Sequence, residues 1–291
     1  MQEIKTIGVV GHTGMVGSTV YQYFKDKGQE VYGYSRSKPE EQSKVNAADA
    51  IFICVPTPYH WDGRGYDDSA IKDALSKIEK GRIVIIKSTV WIGTTEKFQE
   101  QYPELKILFN PEFLSEATCR ADFDHPDRQF IGYTKQSYND ATQVLHLLPE
   151  SPYDLICPAK EAELLKYINN LHGILEVIES NHYYDVCQKE GLDYSRVIKA
   201  AVASKWVGCA MGRHYRTIYH KGYRGVGGAC FPKDLNSWIA YCQEKGIDAK
   251  LFQSAKAMND ELLSEQGLTE ELSEKISTEK DLETVQGEKT V

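Results

Sequence analysis

Short apolar runs alternate with amphipathic stretches through the first half of the chain. Strands are predicted at residues 5–10, 30–35, 50–56, 82–88, 106–110 and 129–133, and helices at 15–27, 68–80 and 93–101. The run AIFICV, which begins at residue 50, is continuously apolar, as is typical of a parallel strand covered on both faces. Because strands and helices alternate, we expect an α/β fold with a doubly wound parallel sheet, in a domain spanning residues 1–155.

The periodicity changes in the second half. From 159 to 190, apolar residues recur at three- and four-residue spacing, which predicts a long helix. Further helices are predicted at 193–203 and 233–245, so residues 156–262 are expected to form an all-helical domain. The last stretch, 263–291, holds eight acidic residues and three lysines, and its net charge of −5 (3 − 8) predicts a flexible acidic tail.

Composition narrows the classes of function. The net charge of −8 argues against a nucleic-acid partner, and no apolar run approaches the length that crosses a bilayer. Met1 leads at once into a charged segment and a short strand, so we expect no signal peptide. Seven cysteines without C-x-x-C spacing favour free thiols in a reducing cytoplasm and predict no metal site.

A glycine-rich turn follows the first predicted strand, in the sequence VVGHTGMVGSTV. Gly11, Gly14 and Gly17 lie where glycine permits a tight turn and lets the backbone approach a pyrophosphate at the N terminus of a helix. The spacing G-x-x-G-x-x-G is one residue longer between the first two glycines than the usual fingerprint. The context predicts a Rossmann-type dinucleotide-binding domain, with Met15 and Val16 beside the cofactor.

The end of the second predicted strand bears on the choice of cofactor. An NAD-selective site usually places a carboxylate there to bind the ribose hydroxyls. This chain has Ser35, Arg36, Ser37 and Lys38 instead, and a hydroxyl with a guanidinium suits a 2′-phosphate. The cofactor is therefore expected to be NAD or NADP, with NADP favoured. If these residues are instead only a solvated loop, they do not bear on the choice of cofactor.

Cys230 lies in the late stretch GVGGACFPKD, directly before a predicted helix. Free cysteine is among the residue types most often buried in a core. Pro232 suits the first turn of a helix, and a thiol close to a helix N terminus and to Lys233 has a lowered pKa, as a nucleophile requires. Taken alone, the residues allow both interpretations.

The same stretch resembles a signature of the UDP-glucose/GDP-mannose dehydrogenase family, the nucleotide-sugar dehydrogenases. Four more stretches resemble that family and follow its order, over roughly residues 4–262: FICVPTP (52–58), KSTVWIGTTE (87–96), NPEFLSEA (110–117) and AELLKYINN (162–170). The resemblance implies that the helical domain is of the 6-phosphogluconate-dehydrogenase-like type.

The resemblance implies a two-step oxidation of the C6 alcohol of a sugar nucleotide, of the UDP-glucose type, to a carboxylate. Two hydrides pass to the nicotinamide cofactor. Cys230 is implied as the nucleophile that captures the aldehyde as a thiohemiacetal, which is oxidised to a thioester and cleaved by water.

The resemblance also implies the roles of other residues. Lys166 and Asn170, one helical turn apart, stabilise oxyanion charge. Glu112 is the acid/base for thioester hydrolysis, Thr89 positions or relays a proton, and Asp234 lies near the cysteine. Cofactor contacts are expected, beyond the glycine turn and the pair Ser35 and Arg36, from Val55, Thr57, Pro58, Thr89, Glu116 and Lys233. Substrate contacts are expected from Glu112, Phe113, Leu114, Ser115, Lys166, Asn170, Lys221, Gly225, Gly227, Gly228 and Cys230.

The chain departs from the family pattern in two places. The segment 36–50 is shorter than usual, and the sequence after 262 does not resemble the third domain that binds the nucleotide in the family. We therefore expect a short form, homodimeric through its helical domain, in which a second subunit is one source of the nucleotide pocket. Two alternatives remain: a small β-hydroxyacid-type dehydrogenase with a single hydride transfer, and a non-catalytic dinucleotide-binding protein.

Overall fold

The computed structural model describes residues 3–62, 64–204, 207, 215–276 and 281. The chain forms two compact units. The N-terminal unit comprises Met1–His60 and Tyr66–Lys166, and the helical unit comprises Trp61–Gly65 and Tyr167–Val291. None of the helices in the described ranges is long and apolar enough to cross a membrane.

The first part of the chain builds a seven-stranded sheet with helices between its strands. The strands are β1 (Thr6–Val10), β2 (Glu30–Tyr34), β3 (Ala50–Ile53), β4 (Tyr59–His60), β5 (Gly65–Tyr66), β6 (Ile83–Ile86), β7 (Lys106–Phe109), β8 (Gln129–Tyr133) and β9 (Asp154–Pro158). The helices are α1 (Met15–Asp26), α2 (Gln42–Asn46), α3 (Ser69–Leu75), α4 (Thr94–Gln101), α5 (Cys119–Asp124) and α6 (Ala141–Leu145). The short β4 and β5 pair with each other, outside the large sheet.

The strand order of the sheet is β2-β1-β3-β6-β7-β8-β9. Neighbouring strands from β2 to β7 are parallel, which confirms the expected doubly wound sheet. The sheet differs from an all-parallel one at its far side, because β8 is antiparallel to β7 while β9 is parallel to β8.

The central strands are buried on both faces, as their apolar runs predict. Successive residues of β3 contribute alternately to two apolar clusters: Ile51 and Ile53 to one, Ala50 and Phe52 to the other. The strands β6 and β7 divide in the same way. The buried sheet therefore fixes the positions of the carboxyl ends of its strands. Most candidate residues of the N-terminal unit lie in the loops that follow these ends.

The N-terminal unit extends further along the chain than the predicted domain end at 155. The reason is β9, which the sequence analysis did not identify and which pairs with β8 over its full length. The next helix begins against Gly132 of β8, where an added Cβ would lie only 2.8 Å from the Ala162 side chain and 2.9 Å from the Ala159 backbone. The compact unit consequently ends at Lys166.

The rest of the chain is mainly helical. Its elements are α7 (Ala159–Glu190), α8 (Tyr194–Ala201), β10 (Tyr219–His220), β11 (Tyr223–Arg224), α9 (Phe231–Glu244), α10 (Lys250–Glu265) and α11 (Glu270–Ser273). The strands β10 and β11 form an antiparallel hairpin within the region for which helices alone were expected.

The first part of the predicted acidic tail is folded. Leu263, Leu268 and Ile276 are at most 2% exposed and form one buried cluster with Tyr223. This differs from the expectation of a flexible tail from residue 263, because three apolar positions among the charged ones suffice to anchor the segment. Residues 277–280 and 282–291, the rest of that tail, lie outside the described residues.

Candidate active site

The glycine turn between β1 and α1 is built for close backbone approach. Gly11 has φ of +85°, a left-handed conformation that favours glycine, and Gly14 is the N-cap residue of α1. A Cβ on Gly17 would lie 2.1 Å from the Gly11 carbonyl oxygen. Met15 and Val16 open α1, so their amides belong to the first helical turn, where an anion is stabilised. The turn fits a dinucleotide pyrophosphate.

The loop after β2 is a tight turn of mixed charge. The Ser35 and Ser37 hydroxyls lie 3.1 Å apart, and the backbones of Ser35 and Lys38 exchange two hydrogen bonds. Arg36 is exposed at this turn. The structure adds a carboxylate that the sequence analysis missed: Glu41 accepts a hydrogen bond of 3.1 Å from the Gly33 amide of β2. The available signal was an acid a few residues beyond the strand.

The loops after β3 and β6 are joined by hydrogen bonds. The Thr57 hydroxyl donates to the Thr89 carbonyl at 2.8 Å, and the Ser88 hydroxyl donates to the Val55 carbonyl at 2.6 Å. Since β1, β3, β6 and β7 are adjacent and parallel, these loops and the glycine turn lie at the same edge of the sheet. Pro58 is exposed in the first of these loops. Ligands of doubly wound folds bind at this edge.

Lys166 and Glu112 form a buried ion pair. The Lys166 ammonium donates to the Glu112 carboxylate and to the Glu112 carbonyl, both at 2.8 Å. The two side chains are only 6% and 13% exposed. Burial by itself raises the pKa of Glu112, but the Lys166 charge and hydrogen bond and the Leu114 amide outweigh it, so the pKa lies below the usual 4.5. Glu112 is therefore a carboxylate at neutral pH.

Phe113 and Leu114 lie next to this pair, whereas Ser115 and Glu116 lie at the surface. The Phe113 ring lies 5.9 Å from the Lys166 ammonium and 4.5 Å from the guanidinium carbon of Arg128. The Ser115 amide donates to Asp122 at 2.9 Å, which fixes the loop against α5. Glu116 is exposed.

A second buried lysine, Lys87, was missed by the sequence analysis. Its ammonium donates to the Asn110 side-chain oxygen at 2.5 Å. Burial lowers the pKa of Lys87 to about 8, and its charge favours the ionised form of Glu112. Burial raises the pKa of the neighbouring Cys54 thiol to about 12, so this cysteine is not a thiolate at neutral pH. The sequence signal that could have identified Lys87 was a charged residue placed directly after an apolar strand.

Glu163 joins α7 to the start of α4. Its fully buried carboxylate accepts the Gly93 amide at 2.6 Å and the Thr95 amide at 2.8 Å, where the positive end of the α4 dipole lies. These contacts connect the loop that follows Thr89 to the helix that carries Lys166. Burial outweighs the hydrogen bonds and raises the pKa of Glu163 to about 7.

This raised pKa predicts a pH-dependent stability. Between the unfolded value of 4.5 and the folded value of about 7, the folded state binds more protons at Glu163 than the unfolded state does. The free energy of unfolding should therefore fall as the pH rises through this window, and Glu163→Gln should flatten that fall. Urea unfolding between pH 5 and 8 measures the slope, with Glu161→Gln, at an exposed position of the same helix, as the control. An unchanged slope in Glu163→Gln would contradict the assignment.

In the helical unit, Cys230 lies at the N terminus of α9. It is the N-cap residue, its side chain is exposed, and its carbonyl accepts the Asp234 amide at 2.9 Å. The core interpretation of this cysteine is therefore excluded. The preceding loop has left-handed backbone at Gly225 (φ +97°) and Gly228 (φ +78°), and Lys221 (φ +53°) lies in the turn between β10 and β11.

Asp234 brings two other predicted residues together. It is 1% exposed, accepts a hydrogen bond of 2.6 Å from the Asn170 side-chain amide, and pairs with the Lys233 ammonium. Asn170 is also buried. Within the helical unit, Asp234 therefore orients one donor from α7 and one cation from α9.

Two family models match most of the chain. The model described as UDP-glucose/GDP-mannose dehydrogenase family, NAD binding domain, matches residues 32–147, and the model of the central domain of that family matches residues 160–261. The chain belongs to this family. The resemblance that the five sequence stretches indicate is thereby confirmed.

Individual relatives agree with this membership. A UDP-glucose 6-dehydrogenase of Haloferax volcanii is 30% identical over 241 residues, which cover 76% of this chain and 54% of the relative. The chain spans about half the length of the curated relatives it matches. A solved UDP-glucose dehydrogenase from Pyrobaculum islandicum has a TM-score of 0.76 at 26% identity, with 91% of this chain and 71% of that chain covered.

A second fold neighbour is covered almost end to end. The 3-hydroxyisobutyrate dehydrogenase from Mycobacterium tuberculosis has a TM-score of 0.70, with 97% of this chain and 99% of that chain covered. Its identity is 15%, so the likeness concerns the fold alone. It supports a Rossmann-type domain followed by a helical one.

Proposed function

We propose that the protein is an NAD(P)-dependent nucleotide-sugar 6-dehydrogenase, of the UDP-glucose type, that oxidises the C6 alcohol to the carboxylate. The observation that carries this proposal is the exposed Cys230 at the N terminus of α9, in a chain of this family. A cysteine in that place serves an oxidation that passes through a covalent intermediate. The ionised Glu112 beside Lys166 supplies the base and the cation that the hydrolytic step requires.

The proposed reaction divides the work between cofactor and chain. When bound, a nicotinamide cofactor accepts one hydride from C6, so the two oxidations consume two cofactor molecules in turn. The Cys230 thiolate adds to the aldehyde carbon, and the thiohemiacetal becomes a thioester when C6 loses its second hydride and the hydroxyl its proton. Water then attacks the thioester carbon, and the thiol leaves as the acid forms. The N terminus of α9 favours the thiolate form of Cys230.

Glu112 and Lys166 take complementary parts in this proposal. Glu112 is ionised and accepts a proton from the attacking water, while Thr89, whose carbonyl is held by Thr57, positions that water. Lys166 and Asn170 donate to the oxygen that develops negative charge. Asp234 orients Asn170 through the 2.6 Å hydrogen bond.

The direct test is cofactor reduction on addition of UDP-glucose or GDP-mannose. We expect two reduced cofactors for each sugar acid formed. Oxidation of a small hydroxy acid that is independent of Cys230 would instead support the β-hydroxyacid alternative. Tight dinucleotide binding without turnover on any sugar nucleotide would support a binding protein.

Cofactor choice carries its own prediction, which follows from the loop after β2. We propose NADP over NAD, because Arg36 and the serine pair suit a 2′-phosphate. Arg36→Ala should then lower kcat/KM for NADP by about tenfold or more, the worth of a charge-assisted contact, and leave NAD nearly unchanged. Glu41→Gln is the matched variant. If the native chain prefers NAD and Glu41→Gln loses that preference, the ribose contact belongs to Glu41 and the proposal is overturned.

For assembly, we propose a homodimer through the helical unit and a second subunit as a source of the nucleotide pocket. Large apolar side chains exposed on α7 and α8 support the first part, among them Ile168, Val186 and Val197.

A further inference from the structure

The loop that leads to Cys230 is held by hydrogen bonds to side chains of a later segment of the chain. The backbone amides of three alternate residues, Arg224, Val226 and Gly228, each donate to a side-chain oxygen. The acceptors all come from the segment 259–276, which follows the loop in the chain. The segment therefore contacts every second backbone amide of the loop from Arg224 to Gly228.

Two of the three contacts bind both the N–H and the C=O of one loop residue. The Gln266 side chain accepts from the Arg224 amide at 2.8 Å and donates to the Arg224 carbonyl at 3.1 Å. The Asn259 side chain does the same for Val226, at 2.7 and 3.0 Å. Asn259 and Val226 are at most 1% exposed, so these hydrogen bonds are shielded from water.

The third contact lies two residues before Cys230. The Ser273 hydroxyl accepts the Gly228 amide at 3.2 Å and donates to the Glu270 carbonyl at 2.6 Å. Glu270 in turn accepts a hydrogen bond of 2.8 Å from Asn236, which lies on α9. The short helix α11 therefore contacts both the loop before Cys230 and the helix that begins after it.

The packing at the loop leaves little room for another arrangement. A Cβ on Gly225 would lie 2.8 Å from the Asn259 side-chain oxygen, and one on Gly227 would lie 2.1 Å from the Tyr223 hydroxyl. Tyr223 itself lies in the buried cluster with Leu263, Leu268 and Ile276. The same segment thus supplies both the apolar anchor and the hydrogen bonds.

We propose that residues 259–276 form a positioning segment that fixes the backbone before Cys230, with Ser273 and Gln266 as its positioning residues. The inference rests on the proposed function of Cys230 as nucleophile. It assigns a role to the part of the chain for which a flexible tail was expected. The segment keeps the thiol at the start of α9, where the helix dipole favours the thiolate.

The test compares Ser273→Ala and Gln266→Ala with a control, Ser264→Ala, at an exposed position of α10. Three measurements are made on the full chain: hydrogen exchange of peptides covering 223–230, the pH midpoint of Cys230 alkylation by iodoacetamide, and turnover of UDP-glucose. Loss of one hydrogen bond should speed exchange of the loop about fivefold. The alkylation midpoint should move upward and turnover should fall, while Ser264→Ala matches the native chain. Hydrogen exchange of peptides from the sheet core reports whether each variant is folded. If Ser273→Ala does not fold, the measurements on Gln266→Ala decide the inference.

The outcomes separate this inference from the proposed function. Native exchange and a native alkylation midpoint in both folded variants would overturn the positioning segment, whatever the activity of the chain. A loosened loop with unchanged turnover would also overturn its role in the reaction. If the native chain forms no sugar acid, the proposed function fails, and the exchange and alkylation measurements still decide whether the segment controls Cys230.

Discussion

Replacing Cys230 with alanine should lower formation of the sugar acid by at least about 10³-fold, because the route through a covalent thioester is lost with its nucleophile. Folding should be unaffected, since the side chain is exposed at the N-cap position of α9. In the proposed reaction, the first oxidation does not need the thiol. The variant should therefore reduce at most about one cofactor per sugar, against two in the native chain, as measured by absorbance of the reduced cofactor and chromatography of the sugar product.

The control for this experiment is Cys119→Ser. Cys119 is also partly exposed, and its sulfur lies 3.2 Å from the Thr19 hydroxyl near the start of α1. Burial raises the pKa of this thiol, so it is a poor nucleophile at neutral pH. Full conversion to the acid by Cys230→Ala, with two cofactors reduced, would show that the thioester route is wrong.

The architecture was largely predictable because its signals are local. Every residue of the run 50–53 is buried. Alternate side chains of the run contribute to two different apolar clusters, as a strand covered on both faces requires. The long α7 has the predicted bounds, 159 and 190, and the apolar residues at three- and four-residue spacing in its first half were the signal. The glycine spacing indicated a turn at Gly11 and a close backbone approach at Gly17 in the first turn of α1, and in the structure a Cβ would clash at both positions.

What the sequence did not predict depends on contacts between distant residues. The strand β9 is short and only partly apolar, and its pairing with β8 is what identifies it. Leu268 and Ile276 carry no periodicity in an acidic stretch. They become core residues by packing with Leu263 and with Tyr223, which lies far earlier in the chain. Glu163 is indistinguishable from a solvated glutamate until the start of α4 is placed against it.

The same distinction applies to the candidate active site. Lys166 and Glu112 were named from separate stretches, and the fold brings them to 2.8 Å because α7 passes the end of β7. Lys87 was not assigned a role although it opens one of the matched stretches, because its effect on Glu112 is a Coulombic interaction that depends on where the fold places both groups. The sequence therefore identifies which groups take part, whereas their ionisation follows from desolvation, which only the packing determines.

Removing the Lys166 charge should strongly destabilise the N-terminal unit. Lys166→Met leaves the Glu112 carboxylate buried without its cation, and breaking such a pair from one side destabilises a protein by about 3–5 kcal/mol. Glu112→Gln in the same chain should restore part of that loss, because the uncompensated charge is then gone. Urea unfolding of the native chain, both single variants and the double variant measures the coupling between the two residues.

The matched control is Lys160→Met, on the same helix. Lys160 pairs with Glu96, but its side chain is 56% exposed, so its loss should cost less than about 1 kcal/mol. Turnover adds a second measurement, since Lys166→Met should lower kcat by about 100-fold or more if the ammonium stabilises oxyanion charge.

Because the Glu112 pKa is lowered in the folded state, the stability that this carboxylate contributes is present above pH 4.5 and is lost as the pH falls further. Equal and additive losses for the two single variants, with no restoration in the double variant, would contradict a coupled buried pair and leave Lys166 with a role in catalysis alone.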